Sequence, residues 1–213
     1  MLIDAVEWLG HSGFRIRAGR ASIYIDPYRA ADGPAADAIL ITHGHYDHFS
    51  PQDVERLSGA DTTVVAPAPV AERLSGRVRS IAPGEALELG RIDVRAIAAY
   101  NTSKRDPAGR PFHPREAGGV GYELRVGGER LYHSGDTDVI PEMDQVAGVD
   151  VALLAVSGVY VMTPGEAAEA ARRIQPRLAV PMHWGEHIGS RADAEAFADL
   201  ATVEVRIMDK ATG

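Results

Sequence analysis

The chain has 213 residues, a length that suits one substantial core, so we expect a single domain over residues 1–213. Hydrophobic residues make up 45% and charged residues 24%, as in an ordinary globular protein. The formal net charge of −8 opposes attraction to a phosphate backbone, which makes a nucleic-acid partner unlikely. Cysteine is absent, so disulfides are excluded and metal ligands would have to be His, Asp, Glu or weaker oxygen donors.

The hydropathy of the chain and the charges of its first residues indicate where in the cell the protein is expected. No stretch reaches the roughly 18 uninterrupted apolar residues of a membrane span, so we expect none. Residues 1–7 carry acids where a signal peptide would carry bases. We therefore expect a cytoplasmic protein; its oligomeric state is left open.

The chain is predicted to begin with strands. Residues 2–8 and 14–18 form a hairpin about the glycine-bracketed turn 10–13. A third strand at 22–25 ends at Asp26, before a proline.

An apolar run at 39–41 predicts a buried strand that leads into a histidine-rich loop. Ser50, followed by proline, predicts the start of a short helix. A β-branched strand follows at 62–66 and a helical turn at 69–74.

The middle of the chain is predicted to be strands around one long loop. Strands are expected near 78–81, 86–89 and 91–98. Residues 100–118 form the longest irregular segment, and loops of this length in compact domains are usually functional. A hairpin of residues 120–126 and 130–133 follows.

The last third alternates strands and helices. Strands are predicted at 150–156, 178–181 and 203–208, and helices at 163–174 and 191–201. From this order alone, the fold is α/β or α+β.

The histidine-rich loop has the composition of a metal site. His43, His45 and Asp47 are two residues apart, so an extended backbone places them on one side. His48 joins them only if the chain turns, which Gly44 makes easy. Imidazoles with a carboxylate favour a transition metal over Ca²⁺ or Mg²⁺. Because four ligands exceed what one catalytic ion needs, the loop indicates two adjacent ions.

This His-X-His-X-Asp-His pattern after an apolar strand resembles the metallo-β-lactamase superfamily. Three further motifs follow the order of that superfamily: Ile25-Asp26-Pro27, Ser134-Gly135-Asp136-Thr137 and Pro181-Met182-His183-Trp184-Gly185. The resemblance covers nearly the whole chain. It implies a four-layer αββα sandwich with the metal site at one edge.

The resemblance also implies roles for residues outside the loop. Asp136 would bridge both ions, and His183 would enter the same cleft from a strand end. Asp26 would lie behind the metals and accept a hydrogen bond from the second ring N–H of a ligating histidine. The alternative is that Asp26 is only a turn residue at the end of its strand.

One ligand of the resembled family has no direct counterpart. Relatives place a third histidine on the first metal where this chain has Ala99-Tyr100-Asn101. His113, Asn101 or a water could fill the position, with His113 slightly favoured.

The implied chemistry is hydrolysis of an ester, lactone or phosphodiester by a metal-bound hydroxide, with Asp47 orienting it. Two divalent ions are implied, with Zn²⁺ favoured and Mn²⁺, Fe²⁺ or Ni²⁺ possible. The chain looks most like the small metal-dependent hydrolases that include ascorbate phosphate lactonases and N-acylphosphatidylethanolamine phospholipases. The alternatives are a catalytically degenerate metal-binding protein and an iron-dependent oxidoreductase of the same fold.

A basic segment suggests that the small-molecule substrate is anionic. Residues 104–115 contain a single acid, Asp106, and Arg110 and Arg115 could pair with phosphate or carboxylate. A solvated surface loop is the alternative.

Three histidines outside the motifs have other expected roles. His11, in the first turn, is expected either to contact substrate or to be an exposed turn residue. His133 is expected to be structural and His187 to lie in a surface loop.

Overall fold

The computed structural model describes residues 1–90 and 92–212, which form two β-sheets packed face to face. Within these residues the first sheet has six strands in chain order. They are β1 (Val6–Gly10), β2 (Gly13–Ala18), β3 (Ala21–Ile25), β4 (Ala36–Leu40), β5 (Ser58–Ala66) and β6 (Val78–Ser80).

The second sheet has seven strands within the same described residues, and they lie side by side in reverse chain order from β13 to β7. They are β7 (Ala86–Leu89), β8 (Ile92–Ala98), β9 (Val120–Val126), β10 (Glu129–His133), β11 (Val151–Ala155), β12 (Leu178–Met182) and β13 (Glu204–Val205).

Four α-helices in the described chain cover the outer faces: α1 (Pro51–Leu57), α2 (Ala68–Ala71), α3 (Pro164–Ile174) and α4 (Arg191–Leu200). Alternation along β4 explains the layering, because neighbouring side chains of a strand point to opposite faces. Leu40 joins the core between the sheets. Ile39 packs outward with Val54 and Leu57 of α1. The predicted αββα sandwich is confirmed.

Most predicted elements differ from the structure only at their ends, but the strand expected at 2–8 begins at Val6, because Leu2–Ala5 form a 3₁₀ helix. The expected strand at 203–208 contains only Glu204–Val205, since few of its residues find a ladder partner at the sheet edge. The strand expected from 91 begins at Ile92, and Arg91 lies outside the described residues. No helix in the described ranges is long and apolar enough to cross a membrane.

Parallel strands bring distant parts of the sequence to one edge of the sandwich. Strands β3 to β6 are parallel neighbours, and so are β10, β11 and β12. Ligand sites of open α/β sheets lie beyond the carboxyl ends of such strands. The loops after β4, β10 and β12 contain the predicted metal-binding residues.

Candidate metal centre

The histidine-rich loop makes the turn that its four ligands require. The backbone N–H groups of His48 and Phe49 donate to the carbonyl of His45, at 3.1 and 2.8 Å. The chain therefore reverses after His45, and this brings His48 back toward His43, with ring centroids 4.2 Å apart.

A first cluster contains three imidazoles. Nδ1 of His45 lies 3.0 Å from Nε2 of His43 and 3.1 Å from Nε2 of His113. Nitrogens bound to one tetrahedral zinc ion lie about 3.3 Å apart. The triangle therefore has the size of three ligands around one ion, and His113 occupies the corner that the sequence left open.

Asn101 orients this third imidazole. Its Oδ1 accepts hydrogen bonds from the backbone N–H of His113 and from Nδ1 of the same ring, both at 2.9 Å. An amide oxygen can only accept, so Nδ1 carries the proton and Nε2 presents its lone pair to the cluster. Asn101 in turn donates to Asp138 at 3.1 Å.

A second cluster lies beside the first and contains His11, Asp47, His48 and His183. Nε2 of His11 lies 3.1 Å from Oδ2 of Asp47. Within the described chain, Nε2 of His48 and Nε2 of His183 are buried and make no well-aligned hydrogen bond. Buried polar atoms are rarely left this way, so the two nitrogens fit the role of metal ligands.

Asp136 lies between the two clusters. Its Oδ2 is 3.2 Å from Nε2 of His113 and 3.1 Å from Nε2 of His183, whereas Oδ1 is 3.2 Å from Nε2 of His48. One carboxylate therefore reaches imidazoles of both clusters. This is the position that a bridging ligand would need.

Asp26 and Thr42 form a buried support behind the histidines. Asp26 accepts from the Thr42 hydroxyl at 2.6 Å and from Nδ1 of His48 at 2.7 Å. Because the hydroxyl donates to Asp26, its oxygen accepts from Nδ1 of His43 at 3.0 Å. In their neutral forms both rings therefore carry the proton on Nδ1 and direct Nε2 toward the clusters, the arrangement that outer hydrogen bonds impose on metal-binding histidines.

The electrostatics keep the carboxylates charged. Burial by itself would raise the pKa of Asp136, but the neighbouring His183 and His48 hold that pKa well below its ordinary value. Burial likewise opposes ionisation of Asp47, yet its hydrogen bond to His11 lowers the pKa to about 2. Burial disfavours the imidazolium of His43 and lowers its pKa well below the usual range. Burial also opposes the imidazolium of His48, but Asp136 and Asp26 raise its pKa well above the usual range. Because metals bind ionised carboxylates and neutral imidazoles, a metal ion at this position would displace a proton from His48.

Three residues of the site have left-handed backbones. His11, Asp26 and His183 have φ angles of 50°, 44° and 60°. Non-glycine residues seldom adopt this region, and such strain concentrates at functional sites. Each of the three follows a strand, so the unusual φ turns its side chain into the edge where the clusters lie.

Several expectations about other residues need correction. His11 is fully buried, so the alternative of an exposed turn histidine is wrong. Arg110 pairs with Asp106 at 2.8 Å and Arg115 with Glu142 at 2.7 Å. Among the described residues, neither arginine lines the cavities next to the clusters. Their nearby acids satisfy them locally, so the structure does not bring them into the site.

His133 and His187 lie outside the clusters. His133 is buried and its Nε2 donates to the carbonyl of Ser12 at 2.9 Å, which is a structural role. His187 is exposed but lies 3.0 Å from the Tyr28 hydroxyl, near the rim of the site.

Two residues that hold histidines of the site, Thr42 and Ser157, are not among the site residues predicted from the sequence. Thr42 directly precedes the histidine motif, and that position was the available signal. Ser157 follows β11 and contacts Nδ1 of His183 at 2.8 Å. Its place after a strand beside β12 was the signal in this case.

The chain is similar to known proteins in sequence and in fold. The model of the β-lactamase superfamily domain matches residues 5–183. A UPF0173 protein of Pyrococcus furiosus is 35% identical over 202 residues, which cover 90% of this chain and 88% of the relative. A UPF0173 metal-dependent hydrolase of Thermoplasma volcanium is 31% identical over 211 residues, covering 92% and 90%. A crystal structure of a proposed metal-dependent hydrolase from Parabacteroides distasonis has a TM-score of 0.86 at 31% identity, over 97% of this chain and 93% of that chain.

An αββα sandwich with paired His/Asp clusters at one edge defines a protein of the metallo-β-lactamase type. The chain belongs to the metallo-β-lactamase superfamily and, within it, to the UPF0173 family, of which several members are named metal-dependent hydrolases.

Proposed function

We propose that the chain is a hydrolase that uses two adjacent divalent metal ions. The observation that carries this proposal is the convergence of three buried atoms that lie close together but make no well-aligned hydrogen bond in the described chain, namely Nε2 of His48, Nε2 of His183 and Oδ1 of Asp136. The first ion would be held by His43, His45 and His113, the second by Asp47, His48 and His183, with Asp136 shared by both.

Nitrogen-rich ligands with carboxylates suit Zn²⁺ best, and Mn²⁺, Fe²⁺ or Ni²⁺ are compatible with the same donors. Such ions lower the pKa of water at the site and polarise the oxygen of the electrophile. The protein's own part is to fix the geometry. Asp26 and Asn101 hold His48 and His113, and His11 holds Asp47.

We assign Asp47 to orient the attacking water. Its Oδ2 is fixed by His11, and it lines a cavity beside the clusters with Tyr46 and Tyr160. A carboxylate with a pKa of about 2 stays ionised at neutral pH and can accept a hydrogen bond from water.

The substrate we propose is a small molecule with an ester, lactone or phosphodiester bond. A preference for anions was expected from Arg110 and Arg115, but both are paired with acids away from the clusters. We therefore do not assign substrate binding to these arginines, and an anionic substrate has no support from them.

The test is metal removal and restoration. Protein stripped by a chelator would be reloaded separately with Zn²⁺, Mn²⁺, Fe²⁺ and Ni²⁺ and assayed on p-nitrophenyl acetate and bis(p-nitrophenyl) phosphate. We expect turnover only after reloading. Full metal binding without hydrolysis of either compound would favour the degenerate metal-binding protein, and oxygen consumption only with iron would favour the oxidoreductase.

A further inference from the structure

An apolar pocket lies directly beside the first cluster. It is a cavity of about 270 Å³, and its inner wall is formed by His43, His45, His113 and Asp136. The remaining described residues of the wall are proline, valine, alanine, phenylalanine and glycine. Apart from the four proposed ligands, no described side chain in this wall is charged or polar.

The walls of the apolar pocket are held in place by the fold. Val70 of α2 and Val120 of β9 are buried, at 2% and 0% exposure. The backbone N–H of Val120 donates to the carbonyl of Thr42 at 3.0 Å, which ties the pocket floor to the metal loop. The pocket is therefore a preformed concavity of the kind that binds small ligands.

A second cavity of about 240 Å³ shares Phe112 with the apolar pocket and is also lined by Tyr46, Asp47 and Tyr160. The Phe112 ring lines both cavities and packs edge-to-face on Tyr160, with centroids 4.8 Å apart. A substrate at the clusters thus borders two spaces, one apolar and one that contains hydroxyls and a carboxylate.

We propose that the apolar pocket binds a short alkyl or aryl group attached to the electrophilic carbon or phosphorus atom, which makes the substrate class short-chain or aromatic acyl compounds or their phosphoryl counterparts. This inference rests on the proposed hydrolase function. The attachment point follows from contact, because the pocket wall contains four of the proposed ligands and a group inside it is one or two bonds from the reacting atom.

The size of the pocket sets the length of the group. Ligand cavities usually hold about 300–1,000 Å³, so 270 Å³ suits a fragment and not a long lipid chain. Each buried methylene improves binding about fourfold, which corresponds to about 0.8 kcal/mol. Affinity should therefore rise over the first few methylenes and then stop rising.

The experiment measures binding and turnover separately. Acetohydroxamate, butyrohydroxamate and octanohydroxamate would be titrated calorimetrically into metal-loaded protein, and kcat/KM would be measured for the matching p-nitrophenyl esters. Ala117→Phe places a ring in the pocket from an exposed position of its wall. Ala108→Phe is the matched control, because Ala108 is exposed in the same loop and lines neither cavity.

We expect about a tenfold or greater affinity gain from acetyl to butyryl and little more at octanoyl. Ala117→Phe should abolish this gain and Ala108→Phe should retain it. Chain-length independence, or equal behaviour of the two variants, would overturn the pocket assignment even if the esters are hydrolysed. Chain-length-dependent binding without any ester hydrolysis would instead reject the proposed function and leave the pocket's apolar specificity standing.

Discussion

Oδ1 of Asn101 lies 2.9 Å from both the backbone nitrogen and Nδ1 of His113. The sequence presents these two residues as rivals for one ligand position. In the structure they are partners, because the amide oxygen fixes the ring whose Nε2 lies 3.2 Å from Asp136. The segment containing Asn101 is fixed in turn by Asp138, which accepts from the backbone N–H groups of Thr102 and Ser103 at 2.7 and 2.6 Å.

Asn101→Leu should lower the affinity for one metal ion and leave the affinity for the other unchanged. Loss of an outer hydrogen bond to a metal-binding histidine typically costs about 10–100-fold in affinity. Competition with a chromophoric chelator would measure both affinities. His113→Ala is the reference for complete loss of that ligand. If Asn101→Leu leaves both affinities at the wild-type value, the orienting role is wrong.

Asp26→Asn tests the support beneath His48. Asparagine tolerates the left-handed backbone at this position, where φ is 44°, so the substitution removes charge without adding strain. We expect metal affinity to fall about 10–100-fold because His48 loses its carboxylate partner. The same chelator competition measures it, with thermal unfolding as the check on folding. A variant with unchanged affinity for both ions would contradict the role of Asp26.

Arg110→Ala with Arg115→Ala tests the basic segment. Each arginine is paired with an acid outside the cavities, so we expect KM for bis(p-nitrophenyl) phosphate to change less than about twofold, within the small effect typical of surface charges. Steady-state kinetics at low and high salt would show this. A large rise in KM for the phosphodiester, with a neutral ester unaffected, would restore the anionic-substrate hypothesis.

Ionised Glu166 stabilises the start of α3, and we expect this stabilisation to be lost at acidic pH. It completes the capping box of α3 and pairs with Lys104 at 2.6 Å. Burial opposes its ionisation, but Lys104 and Thr163 lower its pKa below the ordinary 4.5. A lowered pKa means that the stabilisation is present above about pH 4.5 and is lost as pH falls through the folded-state pKa.

Glu166→Gln removes the charge while keeping a side chain that a capping box accepts, so it should lower Tm at pH 7 by about 1–4 °C, the shift expected for about 0.3–1 kcal/mol in a chain of this size. Its Tm difference from wild type should shrink toward pH 3. Thermal unfolding followed by circular dichroism between pH 3 and 7 measures this. Equal differences at both ends of the range would show that charge at Glu166 is not the cause.

Much of the fold follows from local patterns, and the reason is visible in β4 and α3. Alternating apolar residues at 38–41 fill two different layers, so the pattern itself encodes the sandwich. Thr163, Pro164 and Glu166 encode the start of α3. The terminal strand is shorter than the sequence predicts. A β-branched run indicates a propensity to form a strand, whereas pairing requires a neighbouring strand at the sheet edge.

The sequence predicts the site less well where folded loops bring its residues together. His43, His45, Asp47 and His48 are adjacent in sequence, so their spacing predicts their grouping. The positions of His113, Asn101 and Ser157 depend on how the loop after β8 folds back and on which strands are neighbours. The arginines of the basic segment were misplaced because local ion pairing with Asp106 and Glu142 cannot be read from charge counts.

The most direct test of the account is the number of metal ions per chain, measured by elemental mass spectrometry on saturated, desalted protein. We expect two ions in the wild type, about one in His113→Ala and in His183→Ala, and the largest loss in Asp136→Asn, because Asp136 lies between both clusters. Two ions retained in Asp136→Asn, or fewer than two in saturated wild type, would contradict a shared dinuclear centre.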